Sequence, residues 1–82
     1  MNVIINIFPK KEVLSPEAEA VKKSLSNLGF DNIEKLYLGK QITMTINEKS
    51  EKNVHKLASQ MCEKLLVNSI IEDYKITILR EN

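Results

Sequence analysis

The chain has 82 residues, the length of one small domain, and we expect a single domain over residues 1–82. Apolar residues make up 43% and charged residues 28%, and tryptophan is absent, so we expect a globular fold with an aliphatic core. The formal net charge is +1 and the charges are interleaved, which argues against nucleic acids and membrane surfaces as partners.

Three features favour a cytoplasmic location. Cys62 is the only cysteine, so an internal disulfide is excluded. Met1 leads directly into an apolar strand pattern, without the basic region and cleavage site of a secretory signal. No apolar run approaches the roughly 18 residues of a membrane span.

The first half of the sequence predicts a strand followed by a helix. Val3–Phe8 is apolar on both alternating faces, which is typical of a central strand that is covered on both sides. Ser15 is a helix N-cap with Pro16 at the first helical position. Gly29 follows the helical stripe and predicts a left-handed C-terminal stop.

The second half predicts two strands, a helix and a last strand. Ile33–Leu38 and Gln41–Ile46 read as the second and third strands, with a tight hairpin at Gly39-Lys40. Ser50 caps a second helix. The apolar stripe of that helix is predicted to contain Val54, Leu57, Ala58, Met61 and Leu65. The last strand is marked by alternation of Tyr74, Ile76 and Ile78.

The element order β-α-β-β-α-β predicts an α+β two-layer sandwich. It is a ferredoxin-like antiparallel sheet with two helices on one face. The opposite face is predicted to be apolar, with Ile4 and Phe8 contributed by the first strand, and to be covered by another chain. Because the second strand is outermost in this order, the candidate edge residues are Leu36, Tyr37 and Leu38. Ordinary packing within one domain is the alternative reading of these three residues.

No constellation for catalysis or for metal binding is recognisable. Cys62 and His55 lie roughly 10 Å apart along a helix axis, which is too far for a nucleophile–base pair, and no third ligand accompanies them. Glu72 and Asp73 are neighbours on a strand and point to opposite faces. The two glycines do not form a phosphate-binding loop. We therefore expect no catalytic, cofactor-binding or metal-binding residues.

Several stretches carry a family resemblance across nearly the whole chain. They are Val13–Ala18, Ser26–Asp31, Leu38–Lys40, Met61–Asn68 and Ile71–Tyr74. In these stretches the chain resembles PurS, the small subunit of phosphoribosylformylglycinamidine synthase, also called formylglycinamide ribonucleotide amidotransferase.

The resemblance implies a role in de novo purine biosynthesis. The complex converts formylglycinamide ribonucleotide (FGAR) into formylglycinamidine ribonucleotide (FGAM) with glutamine and ATP. The implied role of this chain is a non-catalytic one, as a homodimer or homotetramer that bridges the glutaminase subunit PurQ and the synthetase subunit PurL for ammonia transfer. ATP and Mg²⁺ are then used by the complex, with no cofactor bound by this chain, and the ligase activity belongs to the complex.

A regulatory small-molecule-binding domain of the ACT type is the alternative, because it shares the β-α-β-β-α-β order. Such domains usually have a glycine in the turn after the first strand, where a ligand carboxylate meets the helix N-terminus. The corresponding stretch here, Pro9–Glu12, has no glycine.

Overall fold

The computed structural model describes residues 1–11 and 15–79, so Val13 and Leu14 of the first resembling stretch lie outside it. The elements are β1 (Asn2–Pro9), α1 (Pro16–Asn27), β2 (Lys40–Thr45), α2 (Glu51–Met61), a π-helical turn (Cys62–Leu66) and β3 (Glu72–Leu79). The predicted α+β class, an antiparallel sheet with two helices, is confirmed. No helix among the described residues is long and apolar enough to cross a membrane.

The sheet has three strands in the order β2-β1-β3, and both neighbours run antiparallel to β1. Ile5 lies opposite Ile42 of β2 and Ile76 of β3. Because β1 is hydrogen-bonded on both sides, it is the central strand that its continuous apolar pattern predicts.

The predicted second strand, Ile33–Leu38, and the hairpin after it are wrong for this chain taken by itself. Residues 30–39 run without a turn or a bend and pair with no described strand. Gly39 is the one residue between that segment and β2, whereas the common tight hairpins need two loop residues. Gly39 also lacks the positive φ that such turns require.

The core lies between α2 and one face of the sheet. Val3, Ile5 and Ile7 are buried on that face. The buried residues of the helical segment follow an i, i+4, i+8 line that consists of Val54, Ala58 and Cys62. The small Ala58 at the middle of this line leaves room for the helix to approach the sheet closely.

The predicted stripe of α2 is right only for Val54 and Ala58. Leu57 and Met61 lie at the exposed margin of the helix, and Leu65 is 83% exposed. The π-helical turn contains one more residue per turn than an α-helix, so Val67 returns to the core where Leu65 does not.

Local signals at the helix ends are confirmed. The Ser15 hydroxyl accepts a hydrogen bond from the Ala18 amide at 3.3 Å, and the Ser50 hydroxyl caps α2 in the same way. Gly29 has φ of 101°. The amides of Gly29 and Phe30 bond back into the last turn of α1, which is the Schellman arrangement.

Helix α1 makes only marginal contact with the sheet, although the sequence predicts both helices on it. It lies instead beside the segment that follows it, where Lys22 Nζ donates to the Glu34 carbonyl at 2.7 Å and Ser26 Oγ donates to Asp31 Oδ1 at 2.8 Å. We call residues 16–38 the arm. The chain measures 49 × 30 × 14 Å, with a radius of gyration of 16.3 Å, against about 12 Å for a compact domain of this length.

Candidate interaction surface

The sheet face opposite α2 is not the apolar surface that the sequence predicts. Hydrogen-bonded polar pairs cross it, with Thr45 Oγ1 donating to Asn2 Oδ1 at 2.7 Å and Gln41 Nε2 donating to Asn6 Oδ1 at 3.0 Å. The prediction is wrong because only alternate residues of each strand reach this face, and on β2 they are polar. We call it the open face.

Ile4 and Phe8 are the apolar side chains that β1 contributes to the open face. Ile4 is partly buried between Thr43 and Thr77, its neighbours on β2 and β3. Phe8 is exposed at the end of the strand. Aromatic side chains are enriched in protein–protein interfaces, whose rims are polar, so Phe8 is a candidate contact residue.

Phe8 and Tyr37 come together at the base of the arm. They line a shallow depression of about 260 Å³, together with Lys10 and Asp73. Lys10 Nζ lies 3.3 Å from Asp73 Oδ1 at its rim, and this pair is partly exposed. The depression therefore has an apolar floor and a polar rim, which is the general anatomy of a protein-binding patch.

The predicted edge residues lie on the arm and not on a strand. Leu36 is partly buried, whereas Tyr37 and Leu38 are exposed. The outermost strand on this side is β2, which pairs with β1 along one edge and with no described strand along the other. Of the five predicted interface residues, Phe8 and Tyr37 share the depression, and Ile4 lies farther along the open face.

Sequence reasoning missed two groups of exposed apolar side chains. One lies at the C-terminal end of α1, where Leu28 is 74% exposed and Phe30 is 55% exposed. The other follows α2 and includes Leu65 and Ile70, each 83% exposed. Leu28 and Leu65 continue apolar stripes at helical spacing, so their exposure is not evident from the sequence, whereas Phe30 and Ile70 lie beyond the helix ends.

Three titrating groups among the described residues have a shifted pKa, and each shift has a local cause. Burial raises the pKa of the Cys62 thiol, and the negative charge of Glu63 raises it further. The Tyr74 hydroxyl donates to Glu63 Oε1 at 2.9 Å, which raises the pKa of Tyr74. Backbone amides of Ser50 and Lys49 donate to the Glu48 carboxylate and lower its pKa. These are structural contacts at helix and turn ends, and none joins a nucleophile to a base.

The remaining groups considered in the sequence do not converge. Cys62 is buried at the start of the π-helical turn, while His55 is exposed on α2. Among residues 1–11 and 15–79, no group of three or more His, Cys, Asp or Glu side chains is placed to hold a metal ion. The surfaces described above suit contact with other chains better than they suit chemistry on a small molecule.

Comparison with protein families gives one match over almost the entire chain. Residues 2–80 match the family described as PurS: phosphoribosylformylglycinamidine (FGAM) synthase. A relative from Bacillus subtilis, phosphoribosylformylglycinamidine synthase subunit PurS, is 38% identical over 76 residues, which cover 93% of this chain and 89% of the relative.

Solved structures agree with the sequence comparison. PurS of Methanocaldococcus jannaschii, described as one of the subunits of formylglycinamide ribonucleotide amidotransferase in the purine biosynthetic pathway, superposes with a TM-score of 0.86 at 33% identity, covering 99% of this chain and 98% of that one. A chain in the structure of PurLQS from Thermotoga maritima gives a TM-score of 0.85 at 26% identity, with 95% of each chain covered.

Proposed function

Because the chain belongs to the PurS family, we propose that it is the non-catalytic assembly subunit of an FGAM synthase in the cytoplasm. The observation that carries the proposal is the family match over residues 2–80. The chain spans 89% of its Bacillus subtilis relative, so the role of the whole relative is relevant to it.

The proposed partners are the synthetase PurL, the glutaminase PurQ and further copies of this chain. One related chain was solved in an assembly named PurLQS, which supports this set. The ACT-type alternative gains nothing from these comparisons, which return PurS proteins. ATP and Mg²⁺ are expected to act in the complex and not on this chain.

The physical task of such a subunit is to keep two larger active sites in register. Ammonia released into water is protonated and loses its nucleophilicity, so its transfer needs an interface that excludes solvent. A thin chain with an exposed arm and two sheet edges that pair with no described strand offers contact area to several partners at once. Our candidates for these contacts remain Leu36, Tyr37, Leu38, Ile4 and Phe8.

Reconstitution tests the proposal. The synthetase and glutaminase are mixed with and without this chain, and FGAM formation is measured with glutamine and, separately, with ammonium as the nitrogen source. We expect the chain to raise the glutamine-dependent rate at least tenfold and the ammonium-dependent rate far less. Equal glutamine-dependent rates with and without the chain, together with no co-elution, would refute the assembly role.

A matched pair of variants tests the candidate contacts. Phe8→Ala removes an exposed aromatic from the open face, whereas Lys75→Ala shortens a polar side chain on the same face. We expect the first change to weaken co-elution with the larger subunits and the second to leave it unchanged. Equal effects from the two variants would remove Phe8 from the proposed contact.

A further inference from the structure

Two hollows adjoin at the base of the arm. The first is the depression that Phe8 and Tyr37 line, and the second, of about 250 Å³, lies between α1 and the segment that follows it. Pro9, Lys11 and Tyr37 line both hollows, so the two are continuous. Each alone is smaller than the roughly 300 Å³ at which pockets for small organic ligands begin, whereas the two together fall within that range. We call the pair the cleft.

The first hollow suits a planar aromatic group. Phe8 comes from the end of β1 and Tyr37 from the arm, and each side chain is about half exposed. The lining is mainly apolar. Aromatic side chains stack on the flat faces of nucleobases, and one such contact strengthens binding about tenfold or more. Two aromatic side chains in one hollow therefore favour a heteroaromatic ring as the group that fills it.

The second hollow presents hydrogen-bond donors that the chain leaves unused. The Lys22 ammonium donates to the Glu34 carbonyl at 2.7 Å, which uses one of its three protons and holds the charge in place. The Ser15 hydroxyl accepts from the Ala18 amide, and its own proton has no acceptor among the described residues. Lys11 forms no ion pair within residues 1–11 and 15–79. Ammonium groups and a free hydroxyl proton that line one hollow are suited to a phosphate group.

Two carboxylates line the same hollow and narrow the choice of ligand. They belong to Glu19 on α1 and to Glu34 on the segment after it. Carboxylates repel a bare anion but accept hydrogen bonds from ribose hydroxyl groups, as they do in dinucleotide sites. The lysines of the hollow are Lys11, Lys22 and Lys35, so its formal charge has a small positive excess. This balance suits one phosphate that is joined to a sugar better than it suits a polyphosphate.

We propose that the cleft binds a nucleoside monophosphate, with its base against Phe8 and Tyr37 and its phosphate at Lys11 and Lys22. The inference goes beyond the proposed function, which needs no ligand on this chain. Because the cleft lies between the end of β1 and the arm, a ligand that spans it joins the arm to the sheet. A bound nucleotide thereby favours one position of the arm and stabilises the folded chain through mass action.

Nuclear magnetic resonance of the isolated, isotope-labelled chain tests the site. Adenosine monophosphate (AMP) is titrated in, and adenosine and inorganic phosphate are titrated separately as its two fragments. We expect saturable shifts of the Phe8, Tyr37 and Lys22 amide signals, with AMP binding at least tenfold more tightly than either fragment. Equal affinities for AMP and phosphate would overturn the proposal and leave only an anion site. The absence of saturable shifts with AMP, GMP, CMP and UMP would also overturn it.

Matched variants separate the two halves of the cleft. Phe8→Ala removes an aromatic side chain from the cleft, whereas Phe30→Ala removes an exposed aromatic outside it. Lys22→Gln removes the ammonium at the second hollow, whereas Lys52→Gln removes an exposed charge on α2. We expect Phe8→Ala and Lys22→Gln each to weaken AMP binding about tenfold and the two controls to leave it unchanged. Equal affinities across the four variants would refute the assignment.

Folding and function are read separately from binding. Circular dichroism establishes that each variant is folded, and Lys11→Gln replaces Lys22→Gln if the loss of the Glu34 contact unfolds the arm. The titrations use the isolated chain, whereas the assembly role is measured by reconstitution with the larger subunits. An isolated chain that binds no nucleotide refutes the site and leaves the assembly role standing. A failed reconstitution refutes the assembly role and leaves the titration result standing.

Discussion

Two isoleucines that are neighbours on β1 should differ in what they contribute to stability. Ile5 is fully buried under α2, whereas Ile4 is partly exposed on the open face. Ile5→Ala removes buried methyl and methylene groups and leaves a cavity, so we expect a loss of about 4 kcal/mol from the free energy of unfolding. Ile4→Ala leaves no closed cavity and should cost about 1–2 kcal/mol.

Urea denaturation at a fixed chain concentration measures the difference. A domain of this length is expected to have a free energy of unfolding of about 4–12 kcal/mol, so the larger loss is a substantial part of the total. With an m-value near 1.5 kcal/mol/M, Ile5→Ala should lower the midpoint by about 2–3 M and Ile4→Ala by about 1 M. Ile4→Ala is the control for Ile5→Ala, because the two variants make the same substitution at adjacent positions. Equal shifts, or a larger shift at Ile4, would refute the assignment of the core to the α2 side.

Three further predictions concern the pKa values of Cys62 and Glu48 and the space around Gly39. Burial raises the pKa of Cys62 in the folded chain. The stability that the neutral thiol contributes is therefore fully present below the unfolded thiol pKa of about 8.5 and is lost as the pH rises through the folded pKa. Cys62→Ala should flatten this alkaline decline in denaturation midpoints. The lowered pKa of Glu48 should appear by NMR as a carboxyl titration midpoint below 4.5, the ordinary value for glutamate, and a midpoint at or above 4.5 would contradict the amide contacts. Any stability that the lowered pKa contributes is present above the unfolded pKa and is lost as the pH falls through the folded one. Gly39→Ala places a methyl group against the Ile7 carbonyl and should lower the thermal midpoint by several degrees, while Ala20→Gly on α1 serves as an exposed control for backbone entropy. An unchanged midpoint for Gly39→Ala would show that the backbone at Gly39 has room for a side chain.

The sequence is most informative where the structure is local. The caps at Ser15 and Ser50 and the stop at Gly29 depend on hydrogen bonds within four residues, and all three are confirmed. The central position of β1 also follows from its own apolar pattern. The family resemblance, which rests on residue identities and not on periodicity, is confirmed over residues 2–80.

Features that depend on distant partners were harder to predict. The face of β1 that carries Ile4 also carries Asn2 and Asn6, whereas the face of Ile5 is wholly apolar, so the alternation favours Ile5 for the core and the prediction of a strand covered on both sides gave these asparagines too little weight. The outward position of Leu65 follows from one extra residue in a π-helical turn, which no sequence pattern marked. Residues 33–38 have the composition of a strand, but composition does not state whether a neighbouring strand is present to pair with them.

The distribution of apolar surface explains why a chain of this kind should work as part of an assembly. Most of the buried residues belong to α2, to the residues that follow it as far as Val67, and to one face of the sheet, whereas α1 buries Ala18 and leaves Val21 and Leu28 exposed. Small domains bury a modest fraction of their surface even when compact, and this one is extended. Contacts with further copies of the chain, which the proposed function includes, would bury part of this exposed apolar surface. Folding and association would then be linked through mass action, and the surface offered to the larger subunits would be complete only after the copies have assembled.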